Sequence, residues 1–216
     1  MLVHDLCKVF RDRVYEHSYF DHWVVEKPRE FWDRDEVRCC GIEVQLGKWW
    51  KKTGGQVAVN LWCGHRWKNS IGPSSEGFDY ESCRLGSLSD QDRWWRVSSA
   101  KDIDAFGIEL NALLKGEAIP WFSQVSSKEG FLDWASSVFP VSHCFPYVLE
   151  VCGVETLSVR VRHWLLTAPR DVGNYLEWLV EIEVISKPLA DQIYKASIQT
   201  DEEYRLRLPA LIEEIG

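Results

Sequence analysis

Several things this chain lacks narrow its reading first. It holds no Gly-x-Ser-x-Gly elbow, no His-Glu-x-x-His helix and no phosphate-cradling glycine loop. The usual marks of serine hydrolysis, zinc proteolysis and phosphate binding are therefore missing. No Cys-x-x-Cys pair is present, so the spacing that signals a structural zinc site is absent too. No apolar run approaches the roughly 20 residues needed to span a bilayer. The opening Met1-Leu2-Val3-His4-Asp5-Leu6 has no basic flank leading into an apolar stretch. Nor is there an excess of positive charge: the net charge is −8, and an acidic surface repels phosphate backbones. Repeats and low-complexity tracts are also missing. These absences lead us to expect a cytoplasmic protein with reduced thiols, no cofactor or metal, and no membrane or nucleic-acid partner.

What is present is a folding composition. With 45% hydrophobic and 27% charged residues over 216 positions, the chain can bury a core and suits one large domain, or one domain with a helical extension. Tryptophan is frequent, at 12 residues; indoles bury large areas and also serve as interface hot spots. The charge is unevenly placed. Residues 1–100 carry 15 basic and 15 acidic side chains, whereas residues 171–216 carry four basic and ten acidic ones. Most of the negative charge thus lies near the C-terminal end, where it favours a basic protein partner and speeds encounter with it.

Periodicity divides the chain. Leu2, Leu6, Val9, Phe10 and Val14 share one face of an opening helix over 1–17. Segments 22–27, 31–34, 37–46 and 56–62 read as strands, with apolar residues alternating in Gly41–Leu46 and at Val57, Val59 and Leu61. That alternation predicts a sheet with one covered face, and the short connections predict an antiparallel meander, with a turn at Lys52-Thr53-Gly54-Gly55. A polar loop follows over 64–77, then a further strand over 84–88. Ser98 or Ser99 is placed to cap a helix over 101–114, with Asp102 and Asp104 in its first turn, Gly116 as its stop and Pro120 opening another short helix. An irregular or short-helix connection around Pro140, His143, Cys144 and Pro146 leads to helices over 157–166, 172–185, 189–198 and 202–215. The predicted fold class is α+β: an antiparallel sheet packed by helices, with a C-terminal helical region. The division predicted is 1–137 for the α+β part and 138–216 for the mainly helical part.

Arg84-Leu85-Gly86-Ser87-Leu88, Trp94-Trp95 and Trp121-Phe122 occur in that order after the paired strands. In this pattern, over about 20–137, the chain resembles a bacterial family of domains of unknown function. The motif residues are packing and turn residues, so the resemblance supplies no catalytic group. Such domains are common among small bacterial proteins that look like immunity or defence components, and the resemblance implies a function of that kind.

Cys39 and Cys40 are adjacent on a strand and point to opposite faces, which does not favour chelation of one ion. Cys63 and His65 share a strand face but lack two further ligands. Trp49-Trp50-Lys51-Lys52 reads as strand-end packing with lysines reaching solvent; Trp94-Trp95 and Trp121-Phe122 read as core. Glu177 and Glu181 lie four apart on one helix face, and Asp201, Glu202 and Glu203 fall at a helix start that favours acids. With Glu213 and Glu214 they form the predicted partner-binding set. The reading is a non-enzymatic immunity protein that neutralises a cognate bacterial toxin with a basic surface. Two alternatives stand beside it: an enzyme of unknown reaction with a pocket near the 64–77 loop involving Cys63, His65 or Asp79, and a self-associating adaptor.

Overall fold

The computed structural model describes residues 2–51, 53–67, 79–86, 93–167, 173–197, 207 and 210–215, with the side chains of 79, 80, 173 and 174 left aside. The fold is α+β, and the chain divides into two compact units, Met1–Arg66 with Pro73–Ser127, and Trp67–Gly72 with Lys128–Gly216.

The first unit opens with helix α1 (Leu2–Tyr15), whose Leu6, Phe10 and Val14 are buried at the expected spacing. Strands β1 (Val24–Lys27), β2 (Glu30–Arg34), β3 (Arg38–Leu46), β4 (Gly55–His65), β5 (Asp79–Arg84) and β6 (Trp95–Val97) form one sheet. The order is β1-β2-β3-β4-β5, and β6 also pairs with β4. All pairings are antiparallel. β5 takes the second half of β4, from Asn60 to His65, and β6 takes its first residues, Gly55 to Val57.

The register explains the core. Cys40 faces Cys63, Ile42 faces Leu61 and Val44 faces Val59, and all six are buried. A fully buried side chain of this size stabilises by about 1.5–3 kcal/mol. Aromatic rings extend this layer: Phe10 meets Phe31 edge-on at 5.5 Å, Trp95 meets Phe106 at 5.2 Å, and Trp23 meets Phe122 at 4.9 Å. The other face of the sheet is not simply solvated, as alternation had predicted. Cys39 is fully buried there, and the Trp32 ring lies so close over Gly41 that a Cβ at that glycine would come within 2.5 Å of it.

Helix α2 (Ala100–Leu113) is capped by Ser99, whose side chain accepts from the Asp102 N–H. Gly116 does not stop it. The chain continues through a wide turn of i to i+5 type, Leu114–Ala118, into α3 (Ile119–Val125), which carries a proline in its first turn. A Cβ at Gly116 would meet nothing within 4 Å, so the glycine sits in open space on a continuing helix.

The second unit contains α4 (Lys128–Val138), α5 (Phe145–Cys152), α6 (Val154–Thr167), α7 (Gly173–Glu181) and α8 (Lys187–Ser197). Trp67, Phe131 and Tyr147 cluster, with ring centroids 4.7 to 5.7 Å apart. Phe145, Trp164 and Tyr175 form a second group. α7 ends at Glu181, four residues before the predicted end. Of the strand predicted at 84–88, Arg84 ends β5 and Leu85-Gly86 form a turn, while 87–88 lie outside the described residues. The helix expected over 202–215 lies mostly outside the described residues. Among the described residues, no helix is long and apolar enough to cross a membrane.

Candidate functional site

The predicted acids that the structure describes are surface groups. α7 buries Leu176, Trp178 and Leu179; this leaves Glu177 and Glu181 exposed, one turn apart on the opposite side. Neither forms an ion pair with a described residue. Glu213 and Glu214 are exposed at the C-terminal end. Asp201, Glu202 and Glu203 lie outside the described residues.

The end of α7 adds a residue that the sequence did not single out. The Val184 N–H reaches the Leu179 carbonyl at 3.0 Å and the Glu183 N–H reaches the Val180 carbonyl at 3.1 Å. This is the paired-bond helix ending that places its penultimate residue in the left-handed region, a position glycine fills most easily. Here it is Glu183, with φ 60°, the only described non-glycine residue at positive φ. Val184 and Leu179, the two residues that the first of these bonds joins, are both buried. Thus Glu181 and Glu183 place two acids at the negative end of the helix dipole, and no base sits in the last turn to offset them.

The thiol and imidazole candidates fall in the first unit. Cys40 Sγ donates to Cys63 Sγ at 3.6 Å, and Cys63 Sγ lies 3.7 Å from His65 Nε2 and 3.5 Å from the Val125 carbonyl. His65 Nε2 lies 2.8 Å from the same carbonyl. A carbonyl only accepts, so Nε2 carries the proton and donates it. That nitrogen is therefore occupied and cannot take a proton from Cys63 in this arrangement. The hydrogen bond with Cys40, and then burial, push the Cys63 thiol well above its ordinary range, away from the thiolate that a nucleophile needs. Among the described residues, no three His, Cys, Asp or Glu side chains are grouped to hold a metal ion. Asp79 is the strand partner of His65, while the 64–77 loop lies mostly outside the described residues.

The Cys40–Cys63 contact was missed because it depends on register: the alternation puts Cys63 with His65, but only the β3–β4 pairing brings Cys40 opposite. Cys152 is exposed, whereas Cys39, Cys40, Cys63 and Cys144 are buried. Trp49 was expected to pack at the strand end and is 77% exposed. Trp95, Trp121 and Phe122 are core, as read from their size, and Trp94 lies half-buried under the Arg84 guanidinium, 4.4 Å from its ring centroid.

No family profile, curated protein or solved structure matches this chain.

Proposed function

We propose that the protein is a non-enzymatic binding protein of the immunity type, which neutralises a cognate bacterial toxin by laying an acidic face against its basic surface. The observation that carries this reading is the exposed end of α7. Glu177 and Glu181 are exposed and make no ion pair with a described residue, and Glu183 holds a backbone conformation that disfavours its side chain. Acids at a helix C-terminus cost about 0.3–1 kcal/mol each, and a non-glycine left-handed residue costs about 1–2 kcal/mol. Choices that break local rules together in one exposed turn are expected where another demand outweighs stability. Docking on lysine and arginine is such a demand, because complementary charge steers encounter and rejects wrong partners. The excess of acids over 171–216 supports the same reading.

The test is affinity capture from the source cells at low and at high salt, with the native chain and with Glu177→Lys/Glu181→Lys. We expect one stoichiometric, basic protein partner on the native chain. Its affinity should fall with salt, and by at least tenfold in the double variant. Equal capture by both chains, with the same salt dependence, would remove this surface from the function.

A further inference from the structure

A hollow at the turn end of the β3–β4 hairpin has no part in the reading above. It measures about 270 Å³ and is lined by Gly47, Trp49, Gly55, Gln56 and Arg96. All five belong to the first unit. Gln56 and Arg96 are direct strand partners across β4 and β6, so their side chains leave the same face of the sheet. Both are exposed, and neither side chain makes a hydrogen bond or ion pair with a described residue. The glycines supply a floor of bare backbone. A Cβ at Gly47 would lie 3.1 Å from the Gln56 carbonyl oxygen, and one at Gly55 would lie 3.0 Å from the Trp50 Cα. Trp49 forms the wall, with 77% of its surface in solvent.

The turn between β3 and β4 that borders this hollow is locally basic. Between Glu43 and Glu76 the sequence has no acid. Lys48 lies 5.7 Å from the Trp49 ring centroid, and Lys51 is exposed on the same turn. The nearest acid after β6, Asp102, is already held by the Ser98 N–H and hydroxyl, each at 2.8 Å. An exposed indole offers a flat surface on which a base-sized ring can stack. A free guanidinium offers a fork that matches phosphate or carboxylate. Gln56 adds an amide that can both donate and accept. The volume falls below the roughly 300–1,000 Å³ of drug-sized pockets, so the occupant is small and keeps one side in water.

We infer that this hollow binds a small ligand that joins one flat aromatic ring to one anionic group, the ring stacking on Trp49 and the anion pairing with Arg96. The phosphate of a mononucleotide and the carboxylate of an aromatic acid share this chemistry.

The test is fluorine NMR of the full chain labelled with 5-fluorotryptophan, in which Trp49→Phe identifies the Trp49 line among the 12 tryptophans. The probes are adenosine 5′-monophosphate and indole-3-acetate, with adenosine and inorganic phosphate as the separated halves. We expect one or both joined probes to move the Trp49 line saturably in the millimolar range or below, and the two halves to act at least tenfold more weakly. A saturable shift from only one joined probe names phosphate or carboxylate as the anion. Arg96→Gln should weaken binding by about tenfold while leaving the other lines in place, since its guanidinium is exposed. No saturable movement by either joined probe up to about 10 mM, or equal affinity in Arg96→Gln, would overturn the inference. Because Trp49 and Arg96 are far in sequence from the acids of 171–216, failure here leaves the immunity reading standing, and failure of that reading leaves this one standing.

Discussion

Glu183 is the residue at which stability and surface chemistry most directly conflict. Its φ of 60° lies where a Cβ crowds the following carbonyl, and only glycine adopts the region freely. The two backbone bonds that define the helix ending do not involve its side chain, so Glu183→Gly keeps them. The variant should be more stable by about 1 kcal/mol, read as a higher unfolding midpoint in urea at unchanged slope. It should also bind the proposed toxin less tightly than the native chain does. A glycine variant that unfolds earlier than native would mean that the glutamate side chain stabilises this turn through contacts of its own. In that case Glu183 would carry no local cost for a partner to outweigh.

At the scale of elements, the β3–β4 hairpin shows how one turn fixes a register. Lys51 and Gly54 exchange backbone hydrogen bonds, each at 3.0 Å. Gly54 has φ 102°, and a Cβ there would lie 2.0 Å from the Val97 carbonyl oxygen. The glycine therefore serves both the turn and the approach of β6. Gly54→Ala should destabilise by about 2–4 kcal/mol. Gly116→Ala, in open space on a continuing helix, should stabilise by up to about 1 kcal/mol. Urea unfolding of the two variants checks both signs, and a near-neutral Gly54→Ala would show that β6 yields at no cost. Much of this architecture is legible in the sequence. The alternation at Val57, Val59 and Leu61 marks β4, Ser99 marks the start of α2, and the turn glycines lie where the hairpin turns. β6 has three residues, too few to establish a period, and its pairing with the start of β4 is non-local. The wide turn at Leu114–Ala118 carries no composition signal, so Gly116 reads falsely as a stop. The acids of α7 are visible as residues, but the left-handed backbone at Glu183 is not, because glutamate gives no hint of it. The Trp49 and Arg96 hollow needs two strands distant in sequence to meet, and only tertiary structure reports that.

For the molecule as a whole, the ionisable groups of the first unit predict how stability follows pH. On the acid side, burial works against the charge of Asp35, but the backbone N–H groups of Val37 and Arg38 donate to its carboxylate at 2.8 and 2.7 Å and hold it below the usual carboxylate range. Asp102 is lowered by its bonds from Ser98 and Ser99. A carboxylate lowered in the folded state contributes stability that is present above its unfolded value and is lost as pH falls through its folded value. Stability should therefore decline as pH drops below about 4. On the alkaline side, burial and the nearby Glu117 push the Cys83 thiol from 9.0 up to about 12. Below pH 9 both folded and unfolded thiols keep the proton, and the contribution is intact. Between pH 9 and 12 the unfolded thiol ionises while the folded one does not, so stability falls as pH rises, by on the order of 1 kcal/mol at pH 10 from this group. Cys63 acts in the same direction, and so does Tyr19, raised first by burial. Thermal unfolding followed by circular dichroism should give a plateau between about pH 5 and 9 and a falling alkaline limb. Cys83→Ala should make that limb shallower between pH 9 and 11. An unfolding temperature that stays flat to pH 11, or a limb unchanged in Cys83→Ala, would place the Cys83 thiol in water rather than in its half-buried position on β5.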